Sequence, residues 1–281
     1  MRQVSQHATP TRGVDWGHSS HQGFDSDETP GPILFGVEAP RSAALIINSG
    51  TLSGLVACWA EGVVRQGAAA GSDKGAFRTA APLAWFGIDD RPARLRRREA
   101  VERQVQLCGL SGVLERQLVR FEAPPAASHS APAEALCIGA RTTAMLVSAA
   151  IEAASLGLSR VIWPVHAGAA PEVDTSVLAD VCDRALMVGQ LVGQDLMRVA
   201  DAGVLGIRIE TPYADLTDAE LMDLALDMDV PLGACWWCLN EDKDMCGQCS
   251  GCMRWREALL AVDPAGRLDI RVLATQSLKT V

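Results

Sequence analysis

The sequence predicts an α/β fold, a doubly wound and mainly parallel sheet followed by a small cysteine-rich segment near the C-terminus. Three observations carry this expectation. Short apolar runs with β-branched residues alternate with longer amphipathic stretches, and the runs are apolar enough to be buried on both faces of a sheet. The first run passes directly into a loop of small residues and then into a helix. Five of the nine cysteines fall within the 18 residues from Cys235 to Cys252, a density that a packed core does not need.

Composition sets the outer bounds. With 281 residues and 48% hydrophobic content, the chain can bury a sizeable core as one large α/β domain or as a domain with a small appendage. Five Phe and one Tyr among many Ala, Leu and Val make that core aliphatic. A net charge of −9 opposes a broad grip on a nucleic-acid backbone, which is electrostatic, and leaves small nucleotides open as ligands. No N-terminal segment has a signal-peptide layout and no apolar run is long enough for a bilayer, so no membrane contact and a cytoplasmic location are expected. In that compartment thiols stay reduced, and clustered cysteines bind metal rather than pair.

Taken in order, residues 1–40 read as a tail rich in Ser, Gly, His, Asp and Pro, which cannot hold His7, His18 and His21 in a ligand geometry. The stretch 41–232 reads as the α/β nucleotide-binding domain. Its first strand is 43–48, followed by Ser49-Gly50-Thr51-Leu52-Ser53-Gly54 and a helix opening at Leu55. Strand, small-residue loop and helix form a layout in which free N–H groups and the positive helix end hold phosphate; an ordinary tight connection uses the same residues. A Gly/Ala/Ser-rich loop is expected over 67–75 and a second strand over 80–87. Asp89-Asp90-Arg91-Pro92 then starts a helix over 93–107, with Arg94, Arg96, Arg97, Arg98 and Arg103 on a face suited to solvent or to phosphate.

A third strand is expected near 118–121, then a Pro/Ala/Ser linker over 123–132 that contains His129. The segment Leu136 to Thr142 leads into an apolar helix ending near Leu156, and a fourth strand covers 161–165. The loop 166–171 follows a strand's carboxyl end, where open parallel sheets bind ligands, which makes His166 a candidate beside its reading as a simple turn histidine. A helix over 175–188 and a strand over 205–209 complete the repeat. Thr217 and Glu220 form a capping box that opens a helix to about Met228.

Residues 233–262 read as a zinc-binding segment with its helix, and 263–281 as a tail. Four thiolates about 2.3 Å from one ion need short loops that turn back, which two-residue gaps between cysteines supply. Gly247 and Gly251 sit inside those gaps, where positive φ is often required. Spacing alone pairs Cys235 with Cys238 and Cys246 with Cys249, and leaves Cys252 spare.

At four places, in order, the chain resembles the 7-cyano-7-deazaguanine synthases, members of the N-type ATP pyrophosphatases with an adenine nucleotide alpha hydrolase-like fold. Ser49 to Gly54 stands where the family has its Ser-Gly-Gly-x-Asp-Ser nucleotide loop, continued by Cys58-Trp59-Ala60. Ile138-Gly139-Ala140-Arg141-Thr142 is similar to its Val-Pro-Gly-Arg-Asn/Thr segment. Glu210-Thr211-Pro212 with Leu216-Thr217-Asp218-Ala219-Glu220 is similar to its Glu-Thr-Pro and Leu-Thr-Lys-Ala-Glu stretch. Trp236-Trp237-Cys238, then Cys246-Gly247-Gln248-Cys249-Ser250-Gly251-Cys252 with Arg254 close behind, resembles its zinc segment. The likeness covers most of 43–256 and is most specific at its end.

The resemblance implies one structural zinc on Cys238, Cys246, Cys249 and Cys252, with Cys235 outside, and ATP with Mg²⁺ on Ser49, Gly50, Thr51, Leu52, Ser53, Gly54 and Arg141. It implies an ATP-dependent carbon–nitrogen ligase that converts 7-carboxy-7-deazaguanine and ammonia to 7-cyano-7-deazaguanine (preQ0) in queuosine-type biosynthesis. The partner would be a small deazapurine rather than nucleic acid or membrane, and a homodimer is one assembly open to it. Thr51, Ser53 and Gly54 depart from the family's glycine, aspartate and serine, and Asp89-Asp90-Arg91-Pro92 replaces its Gly-Gln-Arg-His region. A β-branched residue at positive φ would be an outlier, so Thr51 is expected to force a different loop path. These departures keep open a catalytically inactive or redirected relative that binds a deazapurine, a nucleotide or a protein partner.

Overall fold

Five strands, β1 (Ala44–Ile47), β2 (Leu83–Ile88), β3 (Val113–Gln117), β4 (Arg160–Ile162) and β5 (Arg208–Glu210), pair in parallel in the order β3-β2-β1-β4-β5. The structure is a computed structural model that describes residues 43–71, 82–88, 93–118, 131–169, 173–199, 206–242 and 244–265; for 64–71, 131–137 and 196–199 it describes the backbone alone. The expected tail with its three histidines, Asp89 to Pro92, His129 with most of its linker, and 266–281 lie outside the described residues. Six helices are described: α1 (Leu52–Gly71), α2 (Arg94–Cys108), α3 (Ala131–Ser155), α4 (Thr175–Val199), α5 (Asp218–Asp227) and α6 (Ser250–Val262).

The sheet is covered on both faces. Along β1, Ala44 and Ile46 pack into a core with Leu55 and Val56 of α1, Val101 of α2, Met222 of α5 and Trp255 of α6. Leu45 and Ile47 point the other way, toward Leu146 of α3 and Val188 of α4. All four β1 side chains are buried, as the continuous apolar run requires, and Leu45, Ile46 and Ile47 each contribute about 1.5–3 kcal/mol on removal from water. This is the doubly wound parallel fold that the sequence predicts. The strand order reverses between β1 and β4, the switch point at which such sheets leave a crevice beyond their carboxyl ends.

Several boundaries differ from expectation for local reasons. Helix α1 starts at Leu52, so the second half of the expected loop is its first turn, and it continues to Gly71 through part of the Gly/Ala stretch expected as loop. The third strand is Val113–Gln117, ahead of 118–121: it is an edge strand whose Val-Leu-Glu-Arg-Gln alternation looks less apolar than the residues that follow. Helix α3 begins at Ala131, so Ile138 to Thr142 lies within a helix rather than leading into one, in keeping with its alanine content. Helix α4 runs on to Val199. The capping box at Thr217 is present: its hydroxyl accepts from Glu220 N–H at 3.3 Å, and the Glu220 carboxylate accepts from Thr217 N–H at 2.8 Å.

Below the switch point, Arg160 of β4 bridges two carboxylates, Glu61 of α1 and Glu210 of β5, both at 2.9 Å. The hydrogen bonds that Arg160 donates to Glu210 push its pKa up against the burial that lowers it, and Glu61 adds to the rise. The glutamate of the Glu-Thr-Pro motif therefore ties the edge strand β5 to β4 and α1. Among the described residues, no helix is long and apolar enough to cross a membrane.

Candidate functional site

The loop after β1 is fixed by Asn48, a buried residue at the strand's end. Its side-chain Oδ1 accepts from Gly50 N–H at 2.8 Å, and its Nδ2 donates to Gln104 Oε1 of α2 at 2.8 Å. Gln104 in turn donates to the Ala234 carbonyl at 3.1 Å, and Trp236 N–H donates to the Gly50 carbonyl at 2.8 Å. Loop, helix α2 and the approach to the cysteines are thus one hydrogen-bonded unit, whose buried polar groups satisfy one another.

Within this loop the left-handed residue is Gly50, with φ 74°, and a Cβ there would lie 2.5 Å from the Arg97 carbonyl. Thr51 is not among the positive-φ residues, so it meets no such strain; the turn is made one position earlier than the departure at Thr51 suggested. Gly54 lies in the first turn of α1, against the Asn48 side chain, where a Cβ would come within 2.2 Å of Oδ1. The hydroxyls of Ser49, Thr51 and Ser53 follow one another at 3.3 and 3.4 Å beside Leu52 at the head of α1, whose first turn holds no acidic residue. Hydroxyls and free helix N–H groups in this layout can receive an oxyanion. Arg141 is exposed on α3 and is not among the residues that line the cleft described next.

That cleft, about 380 Å³, lies over the loop. Thr51 and Arg97 of α2 line one side, His166 the end of β4, and Trp237, Leu239, Arg254 and Trp255 the side of the cysteine segment and α6. Of the basic run on α2, Arg96 pairs with Glu99 and donates to the Glu241 carbonyl, and Arg98 pairs with Glu102 and Glu115. Arg97 is the one that borders the cleft.

His166, Asp218 and Arg254 meet at this cleft. The carboxylate of Asp218, only 5% exposed, accepts from His166 Nε2 at 2.8 Å and from Arg254 Nη2 at 2.5 Å, with a second, short bond from Arg254 Nε. Burial raises the Asp218 pKa, but the bonds from Arg254 and His166 outweigh it and hold the carboxyl below its ordinary range. The loop that carries His166 is laced to the start of α5: Ala167 N–H donates to the Leu216 carbonyl and Asp218 N–H to the Gly168 carbonyl, both at 2.8 Å. The Arg254 guanidinium also lies 5.7 Å from the Trp255 ring centroid, and the His166 ring 5.9 Å from it. Sequence reasoning singled out His166 but gave no site role to Asp218 or Asn48. An aspartate opening a capped helix reads as a helix-dipole residue, and the one hint was that Asp218 stands where the resembled family has lysine.

In the segment that supplies Trp237 and Leu239 to the cleft, the sulfurs of Cys238, Cys246, Cys249 and Cys252 lie within 4.8 Å of one another. Cys235 stands apart in the core, facing Gln104, which overturns the pairing that spacing alone favours. Backbone N–H groups of Leu239, Asn240, Cys246, Gln248, Cys249 and Cys252 point at the sulfurs at 3.3–3.5 Å. Burial raises the Cys249 thiol, but N–H donors from Leu239 and Cys252 and the neighbouring thiols bring it down to about 6. Gly247 takes φ 71°, as expected for a wrapping loop. Gly251 is needed for a different reason: it is helical, and a Cβ would come within 2.1 Å of the Trp237 carbonyl. Four convergent thiols with N–H donors around them can hold a metal ion.

The family model described as queuosine biosynthesis protein QueC matches residues 98–263, more than half of the chain. Similar curated proteins are the 7-cyano-7-deazaguanine synthases of Acidobacterium capsulatum (38% identical over 61 residues, 21% of this chain and 27% of the relative) and Aliarcobacter butzleri (32% over 79 residues, 27% and 33%). That of Caldicellulosiruptor bescii is 25% identical over 122 residues, 43% of this chain and 50% of the relative. The chain therefore spans half or less of the length of these relatives. Among solved structures, the U34-tRNA thiolase NcsA from Methanococcus maripaludis with its [4Fe-4S] cluster is 10% identical, with 86% of this chain and 73% of that chain covered and a TM-score of 0.38. NAD+ synthetase from Burkholderia pseudomallei is 14% identical, with 85% and 79% covered and a TM-score of 0.38.

Proposed function

The chain belongs to the family of the queuosine biosynthesis protein QueC, and from that premise we propose that it converts 7-carboxy-7-deazaguanine and ammonia to 7-cyano-7-deazaguanine at the expense of ATP. The observation that carries this reading is the placement of the Gly50-turned loop at the switch point, opening on the same cleft as the cysteine segment. A carboxylate is a poor electrophile. Transfer of AMP to it releases pyrophosphate and creates a leaving group that ammonia displaces, giving the amide and AMP. A second adenylation, on the amide oxygen, lets that oxygen depart with AMP and leaves the nitrile.

The residues of this chain would act by position and charge. The hydroxyls of Ser49, Thr51 and Ser53, with the head of α1, receive the pyrophosphate, Arg97 and Arg254 offset its charge, and Trp237, Leu239 and Trp255 keep water from the activated acyl group. Mg²⁺ would screen the phosphate oxygens. We assign zinc to Cys238, Cys246, Cys249 and Cys252: sulfur separations of 3.6 and 3.9 Å match the roughly 3.7 Å that a tetrahedron with ~2.3 Å zinc–sulfur bonds demands. That ion would be structural, holding the start of α6 and hence Arg254 against the cleft. The reaction would run in the cytoplasm on a small deazapurine.

One feature favours a second reading. With Ser53 at the family's aspartate position and no acid in the first turn of α1, the loop lacks a carboxylate to orient magnesium and phosphate, as in a relative that binds a deazapurine, a nucleotide or a protein partner without turnover. The test is incubation of the purified chain with the acid, ammonium, Mg²⁺ and ATP while pyrophosphate and nitrile are followed. Nitrile with matching pyrophosphate supports the synthase. Deazapurine binding without turnover replaces it with the silent relative.

A further inference from the structure

We propose that Arg254, aimed by the buried carboxylate of Asp218 and flanked by His166, is the residue on which the cleft receives an oxyanion of its reactants, with Asp218 as its positioning residue. The inference draws on the synthase reading only for the source of that oxyanion, a carboxylate of the heteroaromatic acid or a phosphate of the nucleotide.

Asp218 is 5% exposed, His166 13% and Arg254 41%, so the carboxylate sits behind the two groups it binds, and Arg254 is the one open to the cleft. Arg254 spends two of its five N–H groups on Asp218, through Nε and one Nη2 hydrogen. The rest remain for a ligand in the cleft that Arg254 lines. A guanidinium clamped in this way is pre-organised and loses little rotamer freedom when it binds a planar or tetrahedral oxyanion.

The state of His166 follows from the same contacts. An ionised carboxylate only accepts and a guanidinium only donates, so the 2.8 Å approach of His166 Nε2 to Asp218 places the imidazole proton on Nε2. The 3.1 Å approach of Arg254 Nη2 to that nitrogen is then a packing contact, and His166 acts as a brace that holds the carboxylate from its other side. Arg97 of α2 lines the same cleft. Thr51 borders the same space, so an oxyanion on Arg254 lies within the cleft that the β1 loop opens on.

The test is isothermal titration of the full, metal-loaded chain with inorganic pyrophosphate in one arm and 7-carboxy-7-deazaguanine in the other. Saturable binding in at least one arm is expected, and the arm that responds identifies the source. Arg254→Ala should weaken that arm roughly tenfold or more, the scale of a charge-assisted hydrogen bond. Added guanidinium should restore it, which a merely structural lesion would not allow. Asp218→Asn, nearly the same shape without the charge, should weaken the same arm with metal content unchanged. Should Arg254→Ala not fold, Arg254→Lys and Asp218→Asn carry the test, and unchanged affinity in both overturns the proposal. No saturable binding in either arm, equal affinity in Arg254→Ala, or a loss that guanidinium leaves in place in a folded variant also overturns it. Arg254-dependent binding without nitrile formation would overturn the synthase reading alone.

Discussion

Gly50→Ala separates two costs that are usually merged. At φ 74° an alanine meets the left-handed penalty of about 1–2 kcal/mol. Its Cβ would also stand 2.5 Å from the Arg97 carbonyl and 3.1 Å from the Arg97 Cα and Ala100 Cβ, all on α2. These are mostly backbone atoms of a helix whose Ala100, Val101 and Gln104 are fully buried, so they cannot swing aside as a side chain would. Overpacking of this kind adds about 1–3 kcal/mol. Gly109→Ala is the internal control, because Gly109 has φ 66° and an added methyl there would meet no atom within 4 Å. Urea unfolding of both variants should place Gly109→Ala about 1–2 kcal/mol below the parent and Gly50→Ala a further 1–3 kcal/mol lower, with an unchanged denaturant slope. Equal losses in the two variants would refute the claim that the loop is wedged against α2.

Three further outcomes follow from the same geometry. Metal analysis should find one zinc per chain, kept in Cys235→Ser and lost in Cys249→Ser together with the ordered start of α6. Because the folded pKa of Asp218 is lowered, its contribution to stability is present above the unfolded carboxyl value near 3.9 and fades as pH falls through the folded value. The thermal midpoint gap between the parent and Asp218→Asn should therefore be widest near neutrality and narrow below about pH 4, and a gap constant with pH would contradict it. Replacing Arg160 by Met should cost about 3–5 kcal/mol in urea unfolding, because Glu61 and Glu210 would face each other without their shared cation; adding Glu61→Gln should recover part of the loss.

The sequence by itself determined the doubly wound α/β class, the capped start of α5 and the presence of a cysteine cluster. Each is written in a local period or spacing: β1 is apolar at every position, Thr217 and Glu220 are three residues apart, and five cysteines share 18 residues. Spacing alone could not decide which sulfurs converge, because Cys235 and Cys252 are equally close in sequence to usable partners; the resemblance implied Cys238, Cys246, Cys249 and Cys252, and the structure brings those four together while the core holds Cys235. The tertiary structure alone decided that His166, Asp218 and Arg254 meet, since they are separated by 52 and 36 residues and come together where the loop after β4, the first residue of α5 and the first turns of α6 converge. The edge strand β3 and the turn at Gly50 were displaced from expectation for the same reason. Burial against neighbours far along the chain, here the sheet edge and the Arg97 carbonyl, sets which residue takes each conformation, and no local window of residues contains those neighbours.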